Sequence, residues 1–264
     1  MASDVSVVIQ TVLRPTLLRS IKSIIDQDFD GIIDIQIGID IDGFGMADFI
    51  LDEIKSMENR KRRIFILNPG YSTASRREGV STNQYGGNLR SILTFLSLSR
   101  YVAYLDDDDW FEPNHISSLM KAIQNKYWAF SLCNYSVSND SHKIDIDLLE
   151  SVGPGKGIYK EKFGGFVRPS ALILDQLALA SLIFLWNHSP FENGAGQDRN
   201  IFNALKVIIE FGETNIASVN YSLDPKDSMH EQRINYLSSK GHNLIVPQNQ
   251  YTMRDWLNSN TKKS

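Results

Sequence analysis

Tyr101-Val102-Ala103-Tyr104-Leu105-Asp106-Asp107-Asp108-Asp109 is a short apolar run that ends in four consecutive carboxylates. The apolar part reads as a buried strand. A strand of this kind delivers the acidic cluster to the end of a sheet, and in open α/β sheets ligands bind beyond the carboxyl ends of the strands. Four adjacent carboxylates repel one another, so they need a cation or many hydrogen-bond donors. Hard oxygen ligands at that place suit Mg²⁺ or Mn²⁺, typically shared with a substrate phosphate. Taken alone, the run also fits a solvated acidic turn.

Working outward, strand and helix patterns alternate through the first half of the chain. Val5-Ser6-Val7-Val8-Ile9 reads as a buried strand, and residues 11–14 as a loop. Pro15 opens a helix, where its missing N–H does no harm, and Leu17, Leu18, Ile21, Ile24 and Ile25 recur at helical spacing. Residues 33–39 form a strand with period-2 alternation, followed by Asp40-Ile41-Asp42-Gly43. Ile50, Leu51, Ile54 and Met57 mark a second helix, and Ile64-Phe65-Ile66-Leu67 a third strand ended by Asn68-Pro69-Gly70. Leu89, Ile92, Leu93 and Leu96 mark a third helix that leads into residues 101–105, and Pro113 begins a fourth through Ile116, Leu119, Met120 and Ile123. Strands alternating with helices predict an α/β fold with a mostly parallel, doubly wound sheet.

The second half is less regular. Residues 128–135, 171–174 and 216–223 read as strands, and residues 151–165 as a mobile loop or hairpin rich in glycine and lysine. Asn193-Gly194-Ala195-Gly196-Gln197-Asp198 runs into a helix through Ile201, Phe202, Leu205 and Ile208. A last helix is expected near Arg254-Asp255-Trp256-Leu257.

Composition bounds the function. The 264 residues are 42% hydrophobic and 22% charged, ordinary for one large globular domain or two small ones. A net charge of -4 leaves no broad basic face for nucleic acid. The cluster Arg60-Lys61-Arg62-Arg63 reads as solvated surface. One cysteine, Cys133, precludes an intrachain disulfide and reads as a small buried hydrophobe, consistent with a reducing compartment. The chain shows no signal peptide and no transmembrane stretch; the longest apolar candidate, residues 171–186, is interrupted by Asp175 and Gln176. A cytoplasmic protein is expected, compatible with peripheral contact at a membrane surface.

Thr11, Asp40 and the run from Asp106 follow the first, second and fourth strands, so all three fall at one sheet edge and can share a crevice. Here the chain resembles the family 2 glycosyltransferases, and within them the branch of the spore-coat polysaccharide enzyme. The stretch Val5-Ser6-Val7-Val8-Ile9-Gln10-Thr11 with Arg14-Pro15 resembles that family's opening strand and loop. Ile37-Gly38-Ile39-Asp40 resembles its second strand, and Tyr104-Leu105-Asp106-Asp107-Asp108-Asp109 followed by Pro113 resembles its metal-binding DxD segment.

The resemblance implies a GT-A fold, with residues 1–125 as the nucleotide-sugar half and 126–264 as the acceptor half of one domain. It implies a metal-dependent inverting enzyme that takes a nucleoside diphosphate sugar, UDP or dTDP favoured, to a saccharide or glycolipid hydroxyl. Asp108 would be the main ligand of Mn²⁺ or Mg²⁺, with Asp106 and Asp107 serving metal or ribose. Asp40 would accept from the base and Thr11 would lie beside it, with Arg14 and Asp42 in the same nucleotide site. One of Arg76, Arg77 and Arg90 would reach the base or the diphosphate. Asp198 would be the general base that takes the acceptor's proton; as a residue opening a helix it also fits a cap. His230 would add a late ligand to the metal or diphosphate, and equally fits a structural histidine.

Two other readings compete. A phosphohydrolase would use Asp106 as nucleophile and Asp108 as acid, but Trp110 stands where such enzymes want a small β-branched residue. A non-catalytic domain that only binds a sugar nucleotide stays open, because fold does not fix function.

Overall fold

The computed structural model describes residues 2–79, 81–137 and 142–246. Its first half runs Val5–Thr11 (β1), Thr16–Ile25 (α1), Ile33–Ile39 (β2), Ala47–Met57 (α2) and Arg62–Leu67 (β3). Asn88–Leu96 (α3), Tyr101–Asp106 (β4), Trp110–Phe111 (β5) and His115–Ala122 (α4) follow. The second half comprises Trp128–Val137 (β6), Lys143–Ile146 (β7), Gly153–Pro154 (β8), Lys160–Phe163 (α5) and Gly165–Phe166 (β9). Leu172–Asp175 (β10), Gln197–Leu205 (α6), Phe211–Leu223 (β11) and His230–Ser239 (α7) complete it. The helix expected near residues 254–257 lies outside the described residues.

Among the described residues, one sheet takes the order β3-β2-β1-β4-β10-β6-β11-β5, with β7 added beside β6. β3, β2, β1 and β4 are parallel, as the alternating pattern predicts. The second half departs from a mostly parallel sheet. β10 is antiparallel to both β4 and β6, and β7 and β5 are antiparallel to β6 and β11. A parallel return needs a crossover, usually a helix on the sheet face. Between β6 and β10 the chain instead doubles back through β7 and the β8–β9 hairpin, so β10 enters from the opposite direction. The glycine-rich segment is thus a hairpin, its two strands closing over the single turn α5.

Burial explains most of the elements. Leu17, Leu18, Ile21 and Ile24 of α1 are fully buried, and each contributes roughly 1.5–3 kcal/mol by leaving water. Cys133 is a buried free thiol inside β6. Residues 33–39 form the expected strand, but the polar positions of its alternation are covered too: all seven residues are buried. Helix α3 covers one face, where Gly38 lies against Leu89 and Leu93, and buried Asp34 is matched by Arg63 at 2.7 Å and Ser3 at 2.7 Å. The cluster Arg60–Arg63 is not simply solvated either. Arg62 is buried and donates to the carbonyls of Gln27, Phe29, Gly31 and Lys61, pinning β3 to the turn before β2. In α3, Leu89 and Leu93 face the core while Ile92 and Leu96 stay exposed. No helix of the described residues is long and apolar enough to cross a membrane.

Candidate active site

At the carboxyl ends of β1 and β4 lies an open cleft of about 410 Å³. Its walls come from both halves of the chain. Thr11 and Arg14 follow β1, Arg76 and Arg77 lie on a short 3-10 turn, and Arg90 is in α3. Asp106, Asp107 and Asp108 close β4, and Asp198 faces them from α6.

The aspartate run is divided by its turn. Asp109 N donates to Asp106 O at 3.1 Å, which sends successive side chains in different directions. Asp109 turns into the protein, accepting from Ser170 Oγ at 2.7 Å and Ser222 N at 3.1 Å. Asp107 accepts from Thr11 Oγ1 at 2.7 Å and lies 3.4 Å from Arg14. Asp108 pairs with Arg14 and Asp106 with Arg90. Arg14 reaches back because the loop after β1 folds sharply, with Leu13 in the left-handed region at φ 57°. That conformation is rare for a bulky residue and is held here by the surroundings.

Charge is still poorly balanced. Burial raises the Asp106 pKa, Arg90 opposes it, and the charges of Asp108, Asp107 and Asp198 raise it further. Burial likewise raises Asp107 against the pull of Arg14. Among the described residues no three His, Cys, Asp or Glu side chains converge on one point. The donor set nevertheless fits a divalent cation of the Mg²⁺ kind, which binds through one or two carboxylates and completes its shell with substrate phosphate and water. Asp106 and Asp108 are the two aspartates of the run whose side chains remain about one-third exposed, at 32% and 36%.

Asp198 sits in the first turn of α6, behind Gly196, whose φ of 76° makes it the residue that starts the helix. Its Oδ1 accepts from Arg199 N at 2.9 Å, and no side chain caps this helix. The helix dipole favours an anion there, while the carboxylate still faces the cleft.

Three of the expected site residues lie elsewhere. The Asp40 side chain is fully buried behind the cleft, where it accepts from Ser72 Oγ, Thr73 N, Thr73 Oγ1 and Arg77 Nη1 at 2.8–3.2 Å. Asp42 accepts from the N–H groups of Phe44, Met46 and Ala47 and so closes the start of α2. His230 opens α7; its backbone N–H donates to Asp227 O at 3.0 Å and its Nδ1 is buried without a partner among the described residues. Neither Asp42 nor His230 lines the cleft.

Other residues line the cleft that sequence reasoning missed: Gln10, Tyr85, Arg168, Tyr221, Asp224 and Asp227. Arg168 packs over the Tyr221 ring at 3.6 Å and pairs with buried Glu150, which also binds Arg233 at 2.9 Å. The one signal for Arg168 is a lone charge within the apolar stretch Phe166 to Leu174, next to Pro169.

No family model and no curated protein matches the chain. Solved structures do. The chain is similar to S. aureus TarS, residues 1-349, in complex with UDP-GlcNAc, at 11% identity and a TM-score of 0.59, over 94% of this chain and 68% of that one. It is similar to the mannosyltransferase PcManGT from Pyrobaculum calidifontis, in complex with GDP-Man and Mn²⁺, at 11% identity and a TM-score of 0.55, over 94% of this chain and 66% of that one. The longer TarS chain is spanned over only 41% of its length. At such identities the likeness establishes the fold: an α/β architecture of the GT-A kind.

Proposed function

We propose that the chain is a metal-dependent inverting glycosyltransferase of family 2, moving a sugar from UDP or dTDP to a hydroxyl of a saccharide or glycolipid. The observation that carries this reading is one shared cleft. It brings Asp198, the Asp106–Asp108 run and the arginines Arg14, Arg76, Arg77 and Arg90 to one cavity. Solved structures of the same fold hold UDP-GlcNAc and UDP, and GDP-Man with Mn²⁺, which supports a nucleotide sugar as donor.

In this reading Asp198 accepts the acceptor's hydroxyl proton as that oxygen attacks the anomeric carbon, in a single displacement that breaks the bond to the diphosphate. Arg76 is the cleft arginine that makes no ion pair among the described residues, and it meets the charge that develops on the leaving diphosphate. Arg14 and Arg90 keep Asp107, Asp108 and Asp106 in place. A bound Mn²⁺ or Mg²⁺, held by Asp106 and Asp108, would supply Lewis-acid neutralisation of the same diphosphate. Asp40 acts from behind, fixing Arg77 and the turn that carries Arg76.

The test is a thermal-shift panel of UDP, dTDP, GDP, ADP and CDP, each with and without Mn²⁺. A ligand that binds only the folded state raises Tm by mass action. A shift with UDP or dTDP that grows with Mn²⁺ is expected; no shift with any nucleotide overturns the reading.

A further inference from the structure

We propose that Tyr85 is the platform on which the donor's base stacks, and that the base takes the ring face Arg76 now covers, freeing that guanidinium for the diphosphate. The proposal rests on the glycosyltransferase reading and adds to it a residue for the base.

Among the described residues two aromatic rings line the cleft, Tyr85 and Tyr221. Tyr221 is committed to the protein: Arg168 lies 3.6 Å over its ring, and its hydroxyl bonds Arg233 at 2.9 Å and Asp227 at 3.2 Å. The Tyr85 side of the cleft differs. The residue is 40% exposed, and its hydroxyl has no protein partner among the described residues.

Its backbone, by contrast, is fixed at both polar atoms. Tyr85 N donates to Asn83 Oδ1 at 2.9 Å, and Tyr85 O accepts from Gln10 Nε2 at the end of β1. Asn83 is itself fully buried and donates to Trp186 O at 3.1 Å. An aromatic side chain that is open to the cleft on a backbone locked to the central strand costs little to order when a flat ligand arrives. A nucleobase offers such a face whatever its identity, which makes stacking tolerant of base type.

Arg76 completes the device. Its guanidinium lies 4.4 Å from the Tyr85 ring centroid. Arg14, Arg77, Arg90 and Arg168 each hold a carboxylate, whereas Arg76 makes no ion pair among the described residues. Burial, and then the nearby Arg77 charge, push its pKa below the usual arginine range; Tyr85 opposes this, Arg14 adds to it and Asp40 opposes it. A guanidinium among like charges gains from any anion brought into the cleft. Both groups line the cleft, so the space Arg76 fills over the ring is space a base can enter once the side chain swings toward a diphosphate.

Calorimetric titration of wild type, Tyr85→Leu, Tyr85→Phe and Arg76→Ala with UDP, GDP and pyrophosphate, in Mn²⁺, tests this. Tyr85→Leu should weaken both nucleotides roughly ten- to a hundredfold and leave pyrophosphate unchanged. Tyr85→Phe should bind as wild type does, and Arg76→Ala should weaken all three ligands. The proposal is overturned if Tyr85→Leu binds nucleotides normally, or if it loses pyrophosphate to the same degree, as a structural residue would. Wild type that binds neither nucleotide would instead sink the donor reading itself, and this proposal with it.

Discussion

Asp198 and Asp108 reach one cleft from different elements, and in the proposed reading their surroundings suit them to different tasks. Asp108 already has a cation at hand in Arg14, so its charge is structural as well as chemical. Asp198 accepts one backbone N–H and pairs with no arginine or lysine among the described residues, which leaves an oxygen lone pair for a proton. Asp198→Asn should therefore lower the transfer rate by about 10²- to 10⁴-fold, with UDP affinity and Tm unchanged. Asp108→Asn should instead erase the part of the UDP thermal shift that depends on Mn²⁺. Normal transfer by Asp198→Asn would refute the base assignment. The aspartates of the run were legible in the sequence because adjacency itself is the signal: four in a row must be satisfied by something. Asp198 was legible only through the family resemblance. Arg168, Tyr221 and Asp227 were not legible, because only the pairing of β10 and β11 into the sheet brings them to the cleft. Asp40 was visible just after β2, but sequence does not show that four protein donors already occupy its carboxylate.

Elements place these residues, and the start of α3 is the tightest placement. Gly87 approaches the 3-10 segment Ala180–Asn187 so closely that a Cβ would fall 2.0 Å from Trp186 O. The obstacle is backbone, which cannot rotate away. The same helix carries Arg90 to Asp106 and buries Leu93 over Gly38. Gly87→Ala should cost about 1–3 kcal/mol, the usual range for overpacking, read as a lower urea midpoint with the slope unchanged. It should also weaken nucleotide binding through the displaced Arg90. An unaltered midpoint would show that the helix and the segment slide apart freely. The strands themselves were readable, since runs such as residues 5–9 and 101–105 have no other way to hide their side chains. The direction of β10 was not, because strand direction depends on partners far away in the chain: β10 pairs with residues of β4 some seventy positions earlier.

At the scale of the whole molecule, the main sheet of the described residues continues from β3 through to β5, and its last strands are joined to α4 by a buried histidine. His115 is fully buried and stacks on Phe111 at 3.8 Å. Its Nδ1 lies 2.8 Å from Ser218 Oγ in β11, and its Nε2 has no partner among the described residues. Burial lowers its pKa to about 3. In the unfolded chain it titrates near 6.5. Between those values the unfolded state binds a proton that the native state refuses, so stability rises with pH there and is lost as pH falls. The contribution is complete above about pH 6.5 and drains at roughly 1.4 kcal/mol per pH unit below it. Carboxylates with lowered pKa, such as Glu150, whose burial is outweighed by Arg168 and Arg233, lose their contribution only in more acidic solution. Urea unfolding at pH 7 and pH 5 separates the two. Wild type should lose about 2 kcal/mol more than His115→Gln over that interval, because glutamine carries no titrating proton into the unfolded state. Equal losses in the two proteins would mean that the imidazole is charged in the native fold, and that α4 is held to the sheet edge by an ion rather than by a neutral ring.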